Sequence, residues 1–183
     1  SSATACMRTI TIPMPTPFFD HKELLTINTN ELPIYKDAMA PYFPGVDVQP
    51  LYLDPNLGVW TLRVIFQPGV RLPCHYHTGP VHLFTMSGKW HYVEYPDQPQ
   101  TAGCYLYEPG GSIHTFMVPA DNTEPTDTFM VVYGANINFD QDGNFVNVMD
   151  ATDIMQIIDR LVKERGLEPA RYIRPGNAGY TVG

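Results

Sequence analysis

The sequence predicts an all-β fold, a jelly-roll sandwich or barrel, finished by one C-terminal amphipathic helix. Three observations predict it. Short runs of alternating apolar and polar residues recur along the middle of the chain. Eighteen prolines and fourteen glycines are spread through 183 residues, which suits frequent turns rather than a disordered tract. One stretch near the end switches to helical spacing.

In chain order, residues 1–45 read as an N-terminal extension rich in Pro, Thr and Asn, with an edge strand over 7–13 ended by Pro13. Residues 46–140 read as the barrel. Gln49–Asp54 is a short strand, and Pro55–Gly58 turns the chain into a second one. There Trp60, Leu62, Val64 and Phe66 share a face, as side chains two apart must. Further strands are expected over Arg71–His77, His82–Met86, Lys89–Tyr95, Gly103–Glu108, His114–Val118 and Thr128–Tyr133. Asp140–Asn144 reads as a hairpin tip. In residues 152–166, Ile154, Ile157, Ile158, Leu161 and Val162 fall on one helical face, with Thr152 as the expected N-cap and Gly166 as the stop. No internal repeat is present, so a single domain over 1–183 is expected.

Eleven basic residues against nineteen acidic ones leave a net charge of −8. That balance argues against a nucleic-acid partner, whose phosphates need a basic surface. No apolar run is long enough to span a bilayer. The three cysteines, Cys6, Cys74 and Cys104, make no CxxC pair and read as reduced thiols. With no basic n-region or apolar h-region at the start, a cytoplasmic protein is expected.

Six histidines are present, and two of them, His75 and His77, stand two residues apart on an expected strand. Side chains at i and i+2 project to one face with Cβ atoms roughly 6–7 Å apart, so two imidazoles can converge on one ion at about 2.0–2.2 Å. The surrounding residues extend the pattern. Gly69, five residues, His75-x-His77 and then Gly88 form one block; Gly103, five residues, Pro109-x-Gly111, two residues and His114 form another. These blocks resemble the two motifs of the cupin superfamily, G-x5-H-x-H-x3,4-E-x6-G and G-x5-P-x-G-x2-H-x3-N. The resemblance implies a double-stranded β-helix barrel with both motifs facing inward and His75, His77 and His114 as metal ligands. The chain departs from the pattern twice. The glutamate of the first motif is replaced by Val81 or His82, and the asparagine of the second by Val118. A three-histidine site is the simplest outcome. His82 is either a further ligand, a residue of the substrate pocket, or a strand residue facing solvent.

The segments from His75 to His82, from Gly88 to Tyr95 and from Thr101 to Thr115, with the tail from Asn138 through the helix to Arg174, resemble the 2,4'-dihydroxyacetophenone dioxygenase family. Acetylacetone-cleaving dioxygenase is a more distant relative. The resemblance implies an Fe(II) enzyme that uses O2 to cut the C–C bond beside a ketone, in that family yielding an aromatic carboxylate and formate. Zinc or another divalent metal fits the same three ligands. An α-hydroxyketone must lose a proton before it can chelate, so a base is needed within about 2.6–3.2 Å.

Glu108 and Glu94 are the candidates for that base, Glu108 being preferred. Trp90, Tyr92 and Glu94 fall on one face of their strand; pointed inward they would supply an aromatic wall, a phenol and a carboxylate, and pointed outward a solvated surface. Glu108 precedes the Pro109 turn, where a rim position is the alternative. Cys74 and Tyr76 should face away from the histidines, Cys104 should be a buried small hydrophobe, and Tyr105 and Tyr107 should lie opposite Glu108. Two other readings stand beside the dioxygenase: a zinc or manganese isomerase or hydrolase, and a metal-bound sensing cupin without turnover. A homodimer or homotetramer is expected from the extension and the amphipathic helix.

Overall fold

The computed structural model of the protein describes residues 24–176 and Gly179; the strand expected over 7–13 lies outside these residues, as do Cys6 and His21. The described residues hold eleven β-strands and one α-helix: β1 Val46–Asp54, β2 Val59–Phe66, β3 His75–His77, β4 Val81–Ser87, β5 Lys89–Tyr92, β6 Gln100–Thr101, β7 Tyr105–Glu108, β8 Phe116–Met117, β9 Thr126–Tyr133, β10 Asn136–Phe139, β11 Phe145–Met149 and α1 Ala151–Arg165. A five-stranded antiparallel sheet, in the order β1-β2-β9-β4-β7, faces two three-stranded sheets, β11-β10-β3 and β6-β5-β8. Single bridges between His75 and His114 and between Arg71 and Met117 join the two small sheets.

The alternation in β2 is realised: Trp60, Leu62, Val64 and Phe66 are buried while the residues between them are half-exposed. Leu83, Val132 and Trp90 join the same core. Three expected strands are shorter than their apolar patterns. Pro73 has no N–H to give, so pairing over Arg71–His77 lapses after Arg71 and resumes at β3. β5 stops at Tyr92, where the Tyr95 N–H turns back to the Tyr92 carbonyl at 2.9 Å. Of His114–Val118, only Phe116 and Met117 form a strand.

The tip at Asp140–Asn144 joins β10 and β11, with the Asp140 N–H bonded to the Asn144 carbonyl at 2.9 Å and the Asp140 carboxylate accepting from the N–H groups of Asp142 and Asn144. β11 carries the strands on to Met149, beyond residue 140. The segment before β1 packs against the sheet. Tyr35 bridges to Val48, and the Gln49 side-chain amide donates to the carbonyls of Thr29 and Leu32. β1 is therefore buried on both faces over most of its length.

The helix begins one residue before its expected start, and its N-cap is Asp150 rather than Thr152. The Asp150 carboxylate accepts from the Asp153 N–H, and the Asp153 carboxylate accepts from the Asp150 N–H, so two otherwise orphaned donors are satisfied reciprocally. Gly166 ends the helix in the left-handed region at φ 62°, and its N–H bonds to the Val162 carbonyl. Ile154, Ile158 and Leu161 are buried, each contributing roughly 1.5–3 kcal/mol. Arg165 donates to the carbonyls of Lys36 and Asp37, which ties the helix end to the segment before β1.

Replacing Asp150 with Ala is expected to destabilise the protein by about 1 kcal/mol in equilibrium urea unfolding, whereas Thr152→Ala should stay within about 0.5 kcal/mol. Equal effects of the two substitutions would show that the cap is not where the helix is anchored.

Candidate metal centre

β3 is three residues long, yet it is held on both sides. It pairs with β10 through His75↔Asn138, Tyr76↔Ile137 and His77↔Asn136. On the other side His75 and His114 exchange two backbone hydrogen bonds of 3.0 Å each. A third tie comes from the Pro109 turn, where the Gly111 N–H donates to the His77 carbonyl at 2.8 Å. Gly111 stands at φ 84°, a backbone region that residues with a Cβ rarely adopt.

His75, His77 and His114 are all buried, and their ligand atoms lie within 4.8 Å of one another. Ring centroids are 5.0 Å apart for His75 and His77, 4.9 Å for His75 and His114, and 6.0 Å for His77 and His114. The Nδ1 of His75 lies 2.8 Å from the Pro73 carbonyl. A carbonyl only accepts, so Nδ1 carries the proton and Nε2 is left as a lone pair facing the cluster. Tyr76 points away and packs on Phe139, as expected for its place between the two histidines.

Glu108, only 4% exposed, joins the three histidines. Its Oε1 lies 2.6 Å from Nε2 of His114 and 3.6 Å from Nε2 of His77. Its Oε2 accepts a 2.6 Å hydrogen bond from the Tyr92 hydroxyl. Tyr92 also lies against His114, with ring centroids 4.0 Å apart. Despite their closeness, Glu108 Oε1 and His114 Nε2 are off the hydrogen-bonding line, and both are buried without a hydrogen-bond partner. Buried polar atoms are almost always satisfied. A carboxylate oxygen and a ring nitrogen that converge in the interior with no hydrogen-bond partner match what a cation needs. The residues present therefore fit a divalent metal held by His75, His77 and His114, with Glu108 beside it.

The ionisation states agree with that fit. Burial lowers the proton affinity of His75, and lowers that of His77 to about 4. Neutral imidazole is the ligating form. Burial pushes Glu108 upward, but its contacts with His114, His77 and the Tyr92 hydroxyl outweigh it and hold the carboxyl below its ordinary value. Tyr92 is pushed well above the ordinary phenol value by burial and by Glu108, so it stays a donor.

The cluster opens on a cavity of about 110 Å³ between the sheets. Its walls are mostly apolar: Leu62, Val64 and Phe66 on one side, Met130 and Leu83 beside them, and Met39 and Phe43 from the segment before β1. Tyr92, Asn136, Asn138 and Glu108 are its polar groups besides the histidines, and no Lys or Arg among the described residues lines it. The residues from 39 to 43 were not assigned to the site by sequence pattern, because nothing periodic marks them. Asn136 and Asn138 were missed for a different reason. Their i, i+2 spacing is a legible strand signal, but it takes the pairing of β10 with β3 to place them beside the histidines.

Three candidates for the site, Glu94, Trp90 and His82, do not line the cavity. Glu94 is exposed; the turn that ends β5 breaks the alternation with Trp90 and Tyr92, and the Glu94 carboxylate instead caps the Thr115 N–H at 2.9 Å. Trp90 is wholly buried behind Tyr92, stacked on Phe116 at 4.5 Å and donating to the Thr85 hydroxyl, so it supports the site from the core instead of lining the cavity. His82 lies on the opposite face of β4, hydrogen-bonded to the Tyr105 hydroxyl and packed among Tyr105, Tyr107 and Tyr133. It follows Val81, whose inward direction it cannot share. Tyr105 and Tyr107 are exposed and opposite Glu108, as expected, while Cys104 is only half-buried beside Thr101.

Comparison with known proteins agrees with this architecture. The model of the ChrR cupin-like domain matches residues 23–136. A protein of unknown function with a cupin-like fold from Ralstonia eutropha JMP134 is 44% identical, with 90% of this chain and 100% of that chain covered and a TM-score of 0.82. An RmlC-like cupin protein from the same organism is 27% identical, with 80% and 91% covered and a TM-score of 0.72. An acetylacetone dioxygenase from Acinetobacter johnsonii shares the fold at 18% identity, with 80% and 97% covered and a TM-score of 0.62. No curated protein matches the chain. Among the described residues no helix is long and apolar enough to cross a membrane. With its jelly-roll sheets, its single C-terminal helix and a buried three-histidine cluster able to hold a metal ion, the chain belongs to the ChrR cupin-like domain family of the cupin superfamily.

Proposed function

We propose that the protein is an Fe(II)-dependent dioxygenase that cleaves the C–C bond beside the ketone of a small, uncharged, aromatic α-hydroxyketone, of which 2,4'-dihydroxyacetophenone is the model. One O2 and one such ketone give an aromatic carboxylate and formate. The observation that carries this reading is the pair of Glu108 and Tyr92 at the three imidazoles, at the polar end of an otherwise apolar cavity. The segments that resemble the dihydroxyacetophenone dioxygenases and the fold shared with an acetylacetone dioxygenase support the choice of reaction class.

Iron(II), held by His75, His77 and His114, would supply the redox chemistry that O2 requires. The chain's own residues do the rest. The Tyr92 hydroxyl occupies Oε2 of Glu108 and leaves Oε1 free, turned toward the histidines. Because the carboxyl is held ionised, Oε1 takes the proton that the hydroxyketone must lose. Trp90 and Phe116 stack behind Tyr92 and fix its ring. The apolar walls exclude water and receive the aromatic ring. The carboxylate of Glu108, with no Lys or Arg among the described residues of the cavity wall to offset it, disfavours substrates that carry a carboxylate or phosphate.

A second reading has its own observation. Glu108 Oε1 is close enough to two ligating nitrogens to be a fourth ligand, and a closed set of three histidines and one carboxylate suits zinc in a redox-silent isomerase or hydrolase, or a sensing cupin without turnover.

Anaerobic reconstitution with Fe(II), followed by O2 uptake on adding 2,4'-dihydroxyacetophenone and a panel of α-hydroxyketones and β-diketones, separates the two. Stoichiometric uptake with two carboxylic products, absent from the zinc form and from His114→Ala, is expected. No uptake across the panel at one iron per chain would favour the second reading. Glu108→Gln should lower kcat by about 10²–10⁴, and Tyr92→Phe by about tenfold.

The buried histidines also set an acid limit. The folded protein holds His77 near 4, whereas the unfolded chain protonates near 6.5, so the unfolded state takes up the proton first. The stability tied to His77 is complete above about pH 6.5 and is lost as pH falls toward 4, a loss on the order of 3 kcal/mol. His75, lowered in the same way, adds to it. Thermal melts of the metal-free protein should show Tm falling from pH 7 to pH 4.5, with a shallower fall in His77→Gln. Parallel profiles would mean that His77 is not held neutral.

A further inference from the structure

Each ligating histidine needs its second ring nitrogen engaged, since that bond sets the tautomer and aims the lone pair. For His75 the engagement is visible, Nδ1 to the Pro73 carbonyl at 2.8 Å. For His77 it is not. Its Nδ1 is buried and has no hydrogen-bond partner. Directly across the β3–β10 ladder stands Asn136, the register partner of His77, and its Oδ1 is also buried without a partner. An imidazole nitrogen able to donate therefore stands opposite a carbonyl oxygen able only to accept, and both are shielded from the solvent. The influence of the Asn136 side chain on His77, which favours its protonated form against the effect of burial, shows that the two are within interaction range.

We propose that Asn136 is a positioning residue for the metal centre: its Oδ1 accepts the Nδ1–H of His77, so that His77 presents Nε2 as a lone pair toward His114, His75 and Glu108. The arrangement makes β10 a working part of the site. Asn136 and His77 sit at the end of β3 away from the Pro73 bond, so the two ligands of the His-x-His pair are locked from opposite directions, one by its own chain and one by the neighbouring strand. A carboxamide at this place fixes the tautomer without adding a charge. Of the two asparagines that β10 turns toward the cavity, the other, Asn138, spends its Nδ2 on the Asn147 side chain at 2.8 Å.

The inference rests on the reading that the three histidines hold a metal, but its first test needs no metal. In the metal-free protein at pH 7.5, ¹⁵N-imidazole NMR should show His77 as the Nδ1–H tautomer in wild type and as a mixture in Asn136→Leu. Zn(II) affinity by chelator competition should fall about 10- to 100-fold in Asn136→Leu and stay within about threefold of wild type in Asn136→Asp, whose carboxylate restores the acceptor. An Nε2–H tautomer for His77 in wild type would overturn the proposal, and so would an Asn136→Leu variant that binds zinc as tightly as wild type. A loss in Asn136→Asp as large as that in Asn136→Leu would also overturn it, because packing alone would then explain both. Should Asn136→Leu fail to fold, the wild-type spectrum and the aspartate variant still decide. Failure of wild type to bind any divalent metal, with the tautomer found as expected, would strike the metal reading and leave the positioning contact standing.

Discussion

His75 and His114 are thirty-nine residues apart in the chain and exchange two backbone hydrogen bonds of 3.0 Å. That pair of bonds joins the strand bearing the His-x-His pair to the segment that follows the Pro109 turn, and it links the two small sheets that face the large one. The third imidazole is brought to the first two by backbone pairing, before any ion is present. Side chains that must be desolvated together are costly to gather, and here the ladder gathers them at little conformational cost to the side chains themselves. The rest of the centre is built outward from this bridge: Gly111 tied to the His77 carbonyl, Glu108 delivered by the last residue of β7, and Tyr92 laid against His114 by the last residue of β5.

The energetics of the centre are those of a site made for a cation. A buried carboxylate and three buried imidazoles would be a liability in an apolar core, and most of the cavity is apolar. The liability is divided. Burial lowers the proton affinity of His75 and His77, the Tyr92 hydroxyl and the polar contacts of Glu108 hold the carboxyl below its ordinary value, and the unpartnered polar atoms lie close together. Such an arrangement would gain stability from a bound metal ion, because a ligand that binds only the folded state shifts the folding equilibrium. Function and stability are thereby linked at the same few atoms.

Parts of the fold that appear remote also serve the centre. Trp90 holds Tyr92 from behind, and Tyr92 holds Glu108. Met39 and Phe43 line the cavity because Tyr35 bridges to β1 and Arg165 holds the backbone at Lys36 and Asp37. The helix contributes through Ile154 to the same cavity, so its Asp150 cap and its Gly166 stop bear on the shape of the site as well as on stability. The outer face of the large sheet is a separate environment, where His82 sits among three tyrosines on the side of β4 away from the histidine cluster.

His114 was placed by the resemblance to the cupin motifs, while local pattern was enough to read the all-β class, the inward face of β2, the helix and its glycine stop, the hairpin tip at Asp140 and the His75-x-His77 pair. Each of these depends on residues within a few positions of one another, where the periods of 2 and 3.6 and the demands of turns act directly. It was also enough to place Glu108 opposite Tyr105 and Tyr107, though not to say which face was inward. Strand ends were misjudged where a proline or a turn cut pairing short, and Glu94 was lost to the site for that reason: alternation holds only while the ladder lasts. What the tertiary structure alone decided is which strands became neighbours. That choice put Asn136 against His77, Met39 and Phe43 into the cavity wall, Trp90 in the core and His82 outside, because these placements follow from pairing and packing between segments far apart in the chain, which no local period records.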